Sequence, residues 1–405
     1  MKFTRSMYAA LAVMMLCTLI GCNERPDNEG KAKYIFLFIG DGMGNSHIAA
    51  AESYLSYKAG RLGGEQLTFT QFPELGLCST HSASHNITCS SAAGTAIACG
   101  QKTNNGMVGL DPEGNRLESM AFALKEEGYK IGIMSSVPIN HATPSSFYAH
   151  NGSRSACYSL SLEIPESGFE FFGGPGFIDF NGKDGNEEDI DIVLEKAGYE
   201  VCYGTEEFKA EAENGCERII FCQESNRKES AENYVSDGRE EEDLPLAGIL
   251  ELALDYLGDE EPFFIMCEGG AIDWAAHDNK TMPMIQEVLD FDEAIKVAYS
   301  FYTEHPEETL IVVTADHETG GVAIGSVGGS SNVNWAKLEE QWVNDGFRNY
   351  LNNEENKKLN QSCSIGWTTY GHTGAPVPTY AIGKGAEKFN GRFDNTEIKG
   401  KILGE

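Results

Sequence analysis

The chain is short of positive charge. Its 30 Lys and Arg residues stand against 62 Asp and Glu, a formal net charge of −32 over 405 residues. That balance argues against nucleic acid as a specific partner, because phosphate backbones are bound by Lys and Arg. An acidic surface instead keeps a soluble protein apart from its neighbours. Internal repeats are also absent, which excludes solenoid and array folds. The apolar stretch Met7–Ile20 is too short to span a membrane and, behind Lys2 and Arg5, has the length of a secretory signal. An even cysteine count is missing too. Of 11 cysteines, Cys17 lies in the signal and Cys22 just after it. The rest are odd in number, so at least one thiol stays free in an exported protein. Cys202, Cys216 and Cys222 lie close together, and two of them are candidates for a bridge.

What is present reads as a soluble globular protein, 41% hydrophobic and 23% charged. The length suits one large α/β domain or two medium ones. The signal ends Leu19-Ile20-Gly21-Cys22, which resembles the lipobox of bacterial lipoproteins. That resemblance implies cleavage before Cys22, lipidation of Cys22, and export to the periplasm or outer surface, with the membrane reached through the lipid alone. Asn23–Lys33 is polar and reads as a tether. The expected organisation is a signal over 1–21, a lipidated tether over 22–32, and one domain over 33–405.

Lys33–Ile39, Ile131–Ser135, Pro262–Cys267 and Thr309–Thr314 are short apolar runs expected to be buried strands. Between them Leu117–Glu127, Leu244–Leu257 and Pro283–Tyr302 carry helical patterns. Strands alternating with helices imply an α/β fold, a mostly parallel central sheet covered on both faces. Two stretches, near 181–243 and 326–365, read as insertions on this frame.

In open α/β sheets the chemistry gathers beyond the carboxyl ends of the strands. Three expected strands end there in metal-ligating side chains: Asp41, Glu268, and Asp316-His317. In Glu268-Gly-Gly-Ala-Ile-Asp273-Trp-Ala-Ala-His277, a helical second half puts Asp273 and His277 on one face, spaced to chelate one ion. Mixed Asp and His ligands suit Zn²⁺, and a carboxylate–hydroxyl set suits Mg²⁺. His372, in Tyr-Gly-His-Thr-Gly, offers a further ligand. Ser90, in Thr88-Cys-Ser-Ser-Ala, falls at a strand-to-helix junction. The free N–H groups and dipole there favour phosphate and a Ser alkoxide, although Ser is also a common N-cap.

These segments, with Ile39-Gly-Asp41-Gly-Met-Gly and His141-Ala-Thr143-Pro, occur in one order over residues 33–383 and resemble the alkaline phosphatase family. The resemblance implies a phosphate-monoester hydrolase working through a phosphoserine, with two Zn²⁺, one Mg²⁺ and small-molecule monoesters as substrates. It leaves a homodimer open. Ser90 matches the nucleophile and a ligand of the second zinc. Asp273, His277 and His372 match the first zinc's ligands, and Asp41, Asp316 and His317 the second's. Asp41, Thr143 and Glu268 match the magnesium site. Arg154 matches the arginine that forks onto two phosphate oxygens, a geometry Lys cannot supply. Three divalent ions against four ligand carboxylates, plus Arg154, leave a local charge of about +3, enough to draw in a dianion.

Three positions depart from the family. Cys89 stands where most members have Asp, Trp274 where others have Lys or His near the phosphate, and His141 where some bacterial members have Asp. Trp274 is therefore a substrate-side residue without a charge. His47, His81, His85, His150 and His305 read as structural or surface residues. The alternatives are a phosphodiesterase of the same superfamily, a sulfatase, which needs a Cys-x-Pro-x-Arg context that Ser90 lacks, and a non-catalytic phosphate- or metal-binding lipoprotein. Export by the lipobox route has a direct test. Cys22→Ser should abolish lipidation and release the protein from the membrane fraction. Mass spectrometry showing an unmodified N-terminus at another residue in the native protein would refute it.

Overall fold

The computed structural model describes residues 31–226, 234–235, 239–325, 330–344 and 353–405. The signal, Cys22 and most of the tether lie outside them, as do parts of both expected insertions. The strands are β1 (Tyr34–Gly40), β2 (Glu74–Ser79), β3 (Lys130–Ser135), β4 (Phe171–Gly174), β5 (Glu200–Tyr203), β6 (Ile219–Cys222), β7 (Phe263–Gly269) and β8 (Thr309–Thr314). They continue with β9 (Glu318–Thr319), β10 (Ala323–Ile324), β11 (Ile365–Gly366), β12 (His372–Thr373), β13 (Val377–Gly383) and β14 (Gly391–Asp394). Ten of them form one sheet in the order β14-β2-β13-β8-β1-β7-β3-β4-β6-β5. It is parallel except for β13, which runs antiparallel to β2 and β8.

β1, β7 and β8 are aromatic and β-branched runs, and every residue in them is buried. Burial of successive residues means both faces are covered. The helix Thr281–Glu304 packs along β1, β7 and β8, and Leu246–Leu257 lies against β3, β4 and β7. Leu246, Ile249, Leu250, Ala253 and Leu257 give the latter helix its buried stripe. Pro283 is accommodated because it sits in the first turn, where its missing N–H removes no helical bond.

Within 181–243, β5 and β6 add to the central sheet beyond β4. Within 326–365 the described part holds the helices Trp335–Asn344 and Asn353–Ser362. No bridge joins Cys202, Cys216 and Cys222, and every cysteine of the described residues is a free thiol. The register explains why Cys202 and Cys222 do not meet. Cys202 is level with Phe221, and successive residues face opposite sides, so Cys222 points the other way.

For function the decisive feature is the register of the three central strands. Ile39 of β1 is level with Glu268 of β7 and with Thr314 of β8, and Gly40 with Gly269. The three carboxyl ends therefore stop at one height, and the residues that follow them converge.

Candidate active site and metal centre

Asp41 leaves β1 with its N–H still bonded to Gly269 O at 3.2 Å. The next turn needs glycine. Gly42 has φ +71, and a Cβ there would sit 2.8 Å from Thr319 Oγ1 and 2.9 Å from Asp273 Oδ1. Its N–H donates to Asp316 Oδ1 at 3.1 Å. β7 delivers Glu268, and the helix Ala271–His277 then presents Asp273 and His277 one turn apart. β8 delivers Asp316 and His317, and β12 brings His372 from the far end of the chain.

His317 is the hub. Its Nε2 lies 3.4 Å from Asp41 Oδ1, 3.2 Å from Asp316 Oδ2 and 3.3 Å from Ser90 Oγ. Asp273 lies 3.3 Å from His277 Nε2 and 3.7 Å from His372 Nε2, and those two nitrogens are 3.0 Å apart. Backbone carbonyls fix both outer rings. His277 Nδ1 donates to Tyr370 O at 2.6 Å and His372 Nδ1 to Thr88 O at 2.8 Å, which leaves each Nε2 as the lone-pair nitrogen. Thr319, which sequence reasoning passed over, donates to Asp273 Oδ1 at 2.5 Å and lies 3.2 Å from His317 Nδ1.

Ser90 is the first residue of the helix Ser90–Cys99, with Cys89 in an extended N-cap conformation. The hydroxyl is buried and Arg154 Nη1 reaches it at 3.3 Å. Arg154 is held by its N–H to Gly106 O at 2.7 Å, and its Nη2 meets His141 Nε2 at 3.3 Å. Burial, helped by Arg154, pushes His141 down to about 3, so the ring is neutral. A neutral imidazole has one lone pair, so His141 can accept from Arg154 or bind a cation, not both at once. Trp274 stands edge-on to His141, ring centroids 5.7 Å apart, which places it beside the Arg154 partner.

Three groups have ligand atoms within 4.8 Å of one another: Asp273, His317 and His372; Asp41, Asp316 and His317; and Asp41, His141 and Glu268. Of the ligand residues expected from the sequence, Asp41, Glu268, Asp273, Asp316, His317 and His372 fall in these groups, whereas His277 falls in none of them. His317 stands between the first two groups, and His141, absent from the expected ligand set, joins the third. Thr143 lies buried near it. Asp41 Oδ1 and Oδ2, Thr143 Oγ1, Glu268 Oε1, Asp316 Oδ2 and His141 Nδ1 are buried without a hydrogen-bond partner. Buried polar atoms are normally satisfied, so a pocket of orphaned carboxylate oxygens among imidazoles fits divalent cations.

Burial and the neighbouring carboxylates raise Asp41 well above the usual range, Asp316 to about 7 and Glu268 to about 8. Burial opposes ionisation of Asp273 too, but the His277 hydrogen bond and the His317 and His372 rings hold it low. Among the other histidines, His47 is fully buried and pushed down to about 4 by that burial. His150 sits between Glu163 and Leu117 O, and His305 packs on Tyr34 and Phe301. His81 and His85 are exposed.

A profile of the alkaline phosphatase family matches residues 32–214 and 228–403. Alkaline phosphatase 4 of Bacillus subtilis is 30% identical over 93% of this chain and 89% of its own length. Alkaline phosphatase 3 of the same organism is 29% identical over 94% and 90%. Among solved structures, the alkaline phosphatase of the Antarctic bacterium TAB5 is 30% identical with a TM-score of 0.74, covering 92% of this chain and 98% of that one. The Thermus thermophilus alkaline phosphatase is 25% identical with a TM-score of 0.75, over 94% and 93%. Two variants of the TAB5 enzyme, with a histidine changed to Asp or Glu, hold Mg in a site called M3.

The raised carboxyls set a pH dependence. Asp316 and Glu268 favour the folded state while protonated. That contribution is complete below their unfolded values near 4 and is lost as pH rises through about 7 and about 8. The lowered histidines act in the opposite sense, but only up to their unfolded value near 6.5. The metal-free protein should therefore lose thermal stability between pH 6.5 and 8, and added zinc should stabilise it more at pH 8 than at 6.5. Scanning calorimetry with and without chelator reads both, and a melting temperature that stays level across that window in chelated protein would contradict the burial argument.

Proposed function

From the premise that this chain belongs to the alkaline phosphatase family, a family of phosphomonoesterases, we propose that it hydrolyses phosphate monoesters through a phosphoserine on Ser90, in a centre of two Zn²⁺ and one Mg²⁺. The observation that carries the reading is the placement of Ser90 Oγ, at a helix start and 3.3 Å from both His317 Nε2 and Arg154 Nη1. Asp273, His277 and His372 would hold one zinc, and Asp41, Asp316 and His317 the other. Asp41, Thr143 and Glu268 would hold magnesium, with His141 beside them. When bound, such cations lower the pKa of a coordinated hydroxyl and neutralise charge on the transferring phosphoryl group.

The chain's own groups supply the rest. Ser90 Oγ gives up its proton to solvent and attacks phosphorus, the bond to the alcohol oxygen breaks, and the departing alkoxide takes a proton back from water. Water then attacks the phosphoserine and returns Ser90 and inorganic phosphate. Through both steps Arg154 can pair with two phosphoryl oxygens, and the unpaired N–H groups opening the Ser90–Cys99 helix face the same charge. We also propose that the protein is exported and held to the membrane through lipidated Cys22.

Ser90→Ala should remove the phosphoenzyme trapped with labelled substrate at acidic pH, while chelation should abolish turnover of a chromogenic monoester and zinc, unlike magnesium alone, should restore it. A phosphoenzyme that survives in the variant, or full activity in verified metal-free protein, overturns the mechanism.

Trp274 yields a second test. Its ring brings no formal charge to the neighbourhood of His141 and Arg154, so bound phosphate is held less tightly than beside a lysine. Trp274→Lys should lower the inhibition constant for inorganic phosphate and lower KM, with kcat level or reduced by slower product release. An unchanged inhibition constant with a lowered melting temperature would mean that the ring serves packing alone.

A further inference from the structure

Ser90 and Arg154 stand 64 residues apart in the chain, yet the proposed reaction needs both on one phosphoryl group. Among the described residues no carboxylate pairs with Arg154, whose guanidinium meets Ser90 and His141. Its position is therefore set through its backbone. Both segments, the nucleophile's and the arginine's, are tied to one stretch of chain, residues 104–109.

On one side this stretch holds the nucleophile's segment. Asn105 Oδ1 accepts from the Cys89 N–H at 3.2 Å, and its Nδ2 donates to Ile87 O at 3.0 Å. One amide thus grips the chain before and after Thr88, whose carbonyl orients His372 and which Ser90 follows by two residues. The Gly106 N–H donates to Cys89 Sγ at 3.2 Å, and the Gly109 N–H to Thr95 Oγ1 of the Ser90–Cys99 helix at 3.0 Å. On the other side it holds the arginine's segment. Gly106 O accepts from the Arg154 N–H at 2.7 Å, and Val108 and Asn151 exchange backbone bonds at 2.8 and 2.9 Å. Gly106 is thus bonded to Cys89 through its N–H and to Arg154 through its carbonyl. The Met107 N–H closes a turn onto Asn104 O at 3.1 Å, with Gly106 in its third position at φ +91, a backbone that favours glycine.

We propose that Asn105 and Gly106 are positioning residues, a clasp that sets Ser90, Arg154 and the carbonyl partner of His372 against one another. Cys89 serves it as a neutral acceptor for the Gly106 N–H. Two groups that reach the phosphate from separate segments keep their geometry only if a common member joins them, and small displacements there are costly. This rests on the phosphatase reading above.

The test pairs Gly106→Ala with Gly128→Ala in the zinc- and magnesium-loaded enzyme. Gly128 has φ +88 and lies between the helix Met120–Glu126 and the amino end of β3, the end of the sheet away from the site. A Cβ would meet no atom within 4 Å at either glycine, so both variants carry like backbone strain without a clash, and both should melt lower than wild type. Only Gly106→Ala should raise the inhibition constant for inorganic phosphate, about tenfold, as expected of a sub-ångström displacement of Arg154. Asn105→Ala should lower kcat about tenfold and hasten loss of zinc to a chelator, as removal of an outer-shell partner does. An unchanged phosphate constant in Gly106→Ala, the same change in Gly128→Ala, or wild-type kcat and zinc retention in Asn105→Ala overturns the clasp and leaves the phosphatase reading intact. No turnover of any monoester by wild type overturns the phosphatase reading, and the clasp with it.

Discussion

Asp41, Glu268, Asp273 and Asp316 crowd four carboxyl groups into one buried layer above the sheet. Ionised carboxylates removed from water are costly unless paired, and among the described residues no Lys or Arg forms an ion pair with any of the four; Arg154 contacts Ser90 and His141 instead. The site resolves this in two ways. Asp273 is kept ionised by imidazoles. The other three are pushed toward the protonated form, with oxygens left unsatisfied. Much of the surrounding architecture follows from holding that charge in place. Ser135 donates to Glu268, Thr319 to Asp273, and the Gly42 and His317 N–H groups both to Asp316 Oδ1.

Much of this was legible in the sequence, because strand ends and ligands coincide in it. β1, β7 and β8 are uninterrupted apolar runs, and the residues directly after or at their ends are the candidate ligands. The parallel fold and the convergence of Asp41, Glu268 and Asp316 followed from that alone. The helical spacing of Asp273 and His277 was equally visible. The two strands beyond β4 were not. β5 and β6 are four residues each in acidic surroundings, too short for periodicity to separate them from loop. Their pairing, and the opposite facing of Cys202 and Cys222, is fixed by tertiary register.

Within the site, what stayed hidden is carried by the backbone or by residues of low individual signal. Nothing in Tyr370 or Thr88 announces that their carbonyl oxygens orient two imidazoles. Thr319 lies two residues beyond His317, yet a threonine in a strand is ordinarily a packing choice. His141 was noticed only as a departure from the family pattern. It contacts Arg154 and also stands with Asp41 and Glu268 in the third candidate group, so the two share one side chain, a coupling that spacing along the chain cannot reveal.

The antiparallel β13 has a consequence for the order in which the molecule is built. β2, near the start of the domain, finds its partners only in β13 and β14, near the end. The same C-terminal stretch brings in His372. Until it arrives, one edge of β8 is open and β2 has no neighbour, so the closing contacts span nearly the whole chain. Contacts of such long range are slow to form and leave strand edges exposed meanwhile. Completion of the sheet and completion of the candidate ligand groups are thus one late event, and a chain truncated before residue 372 would lack both.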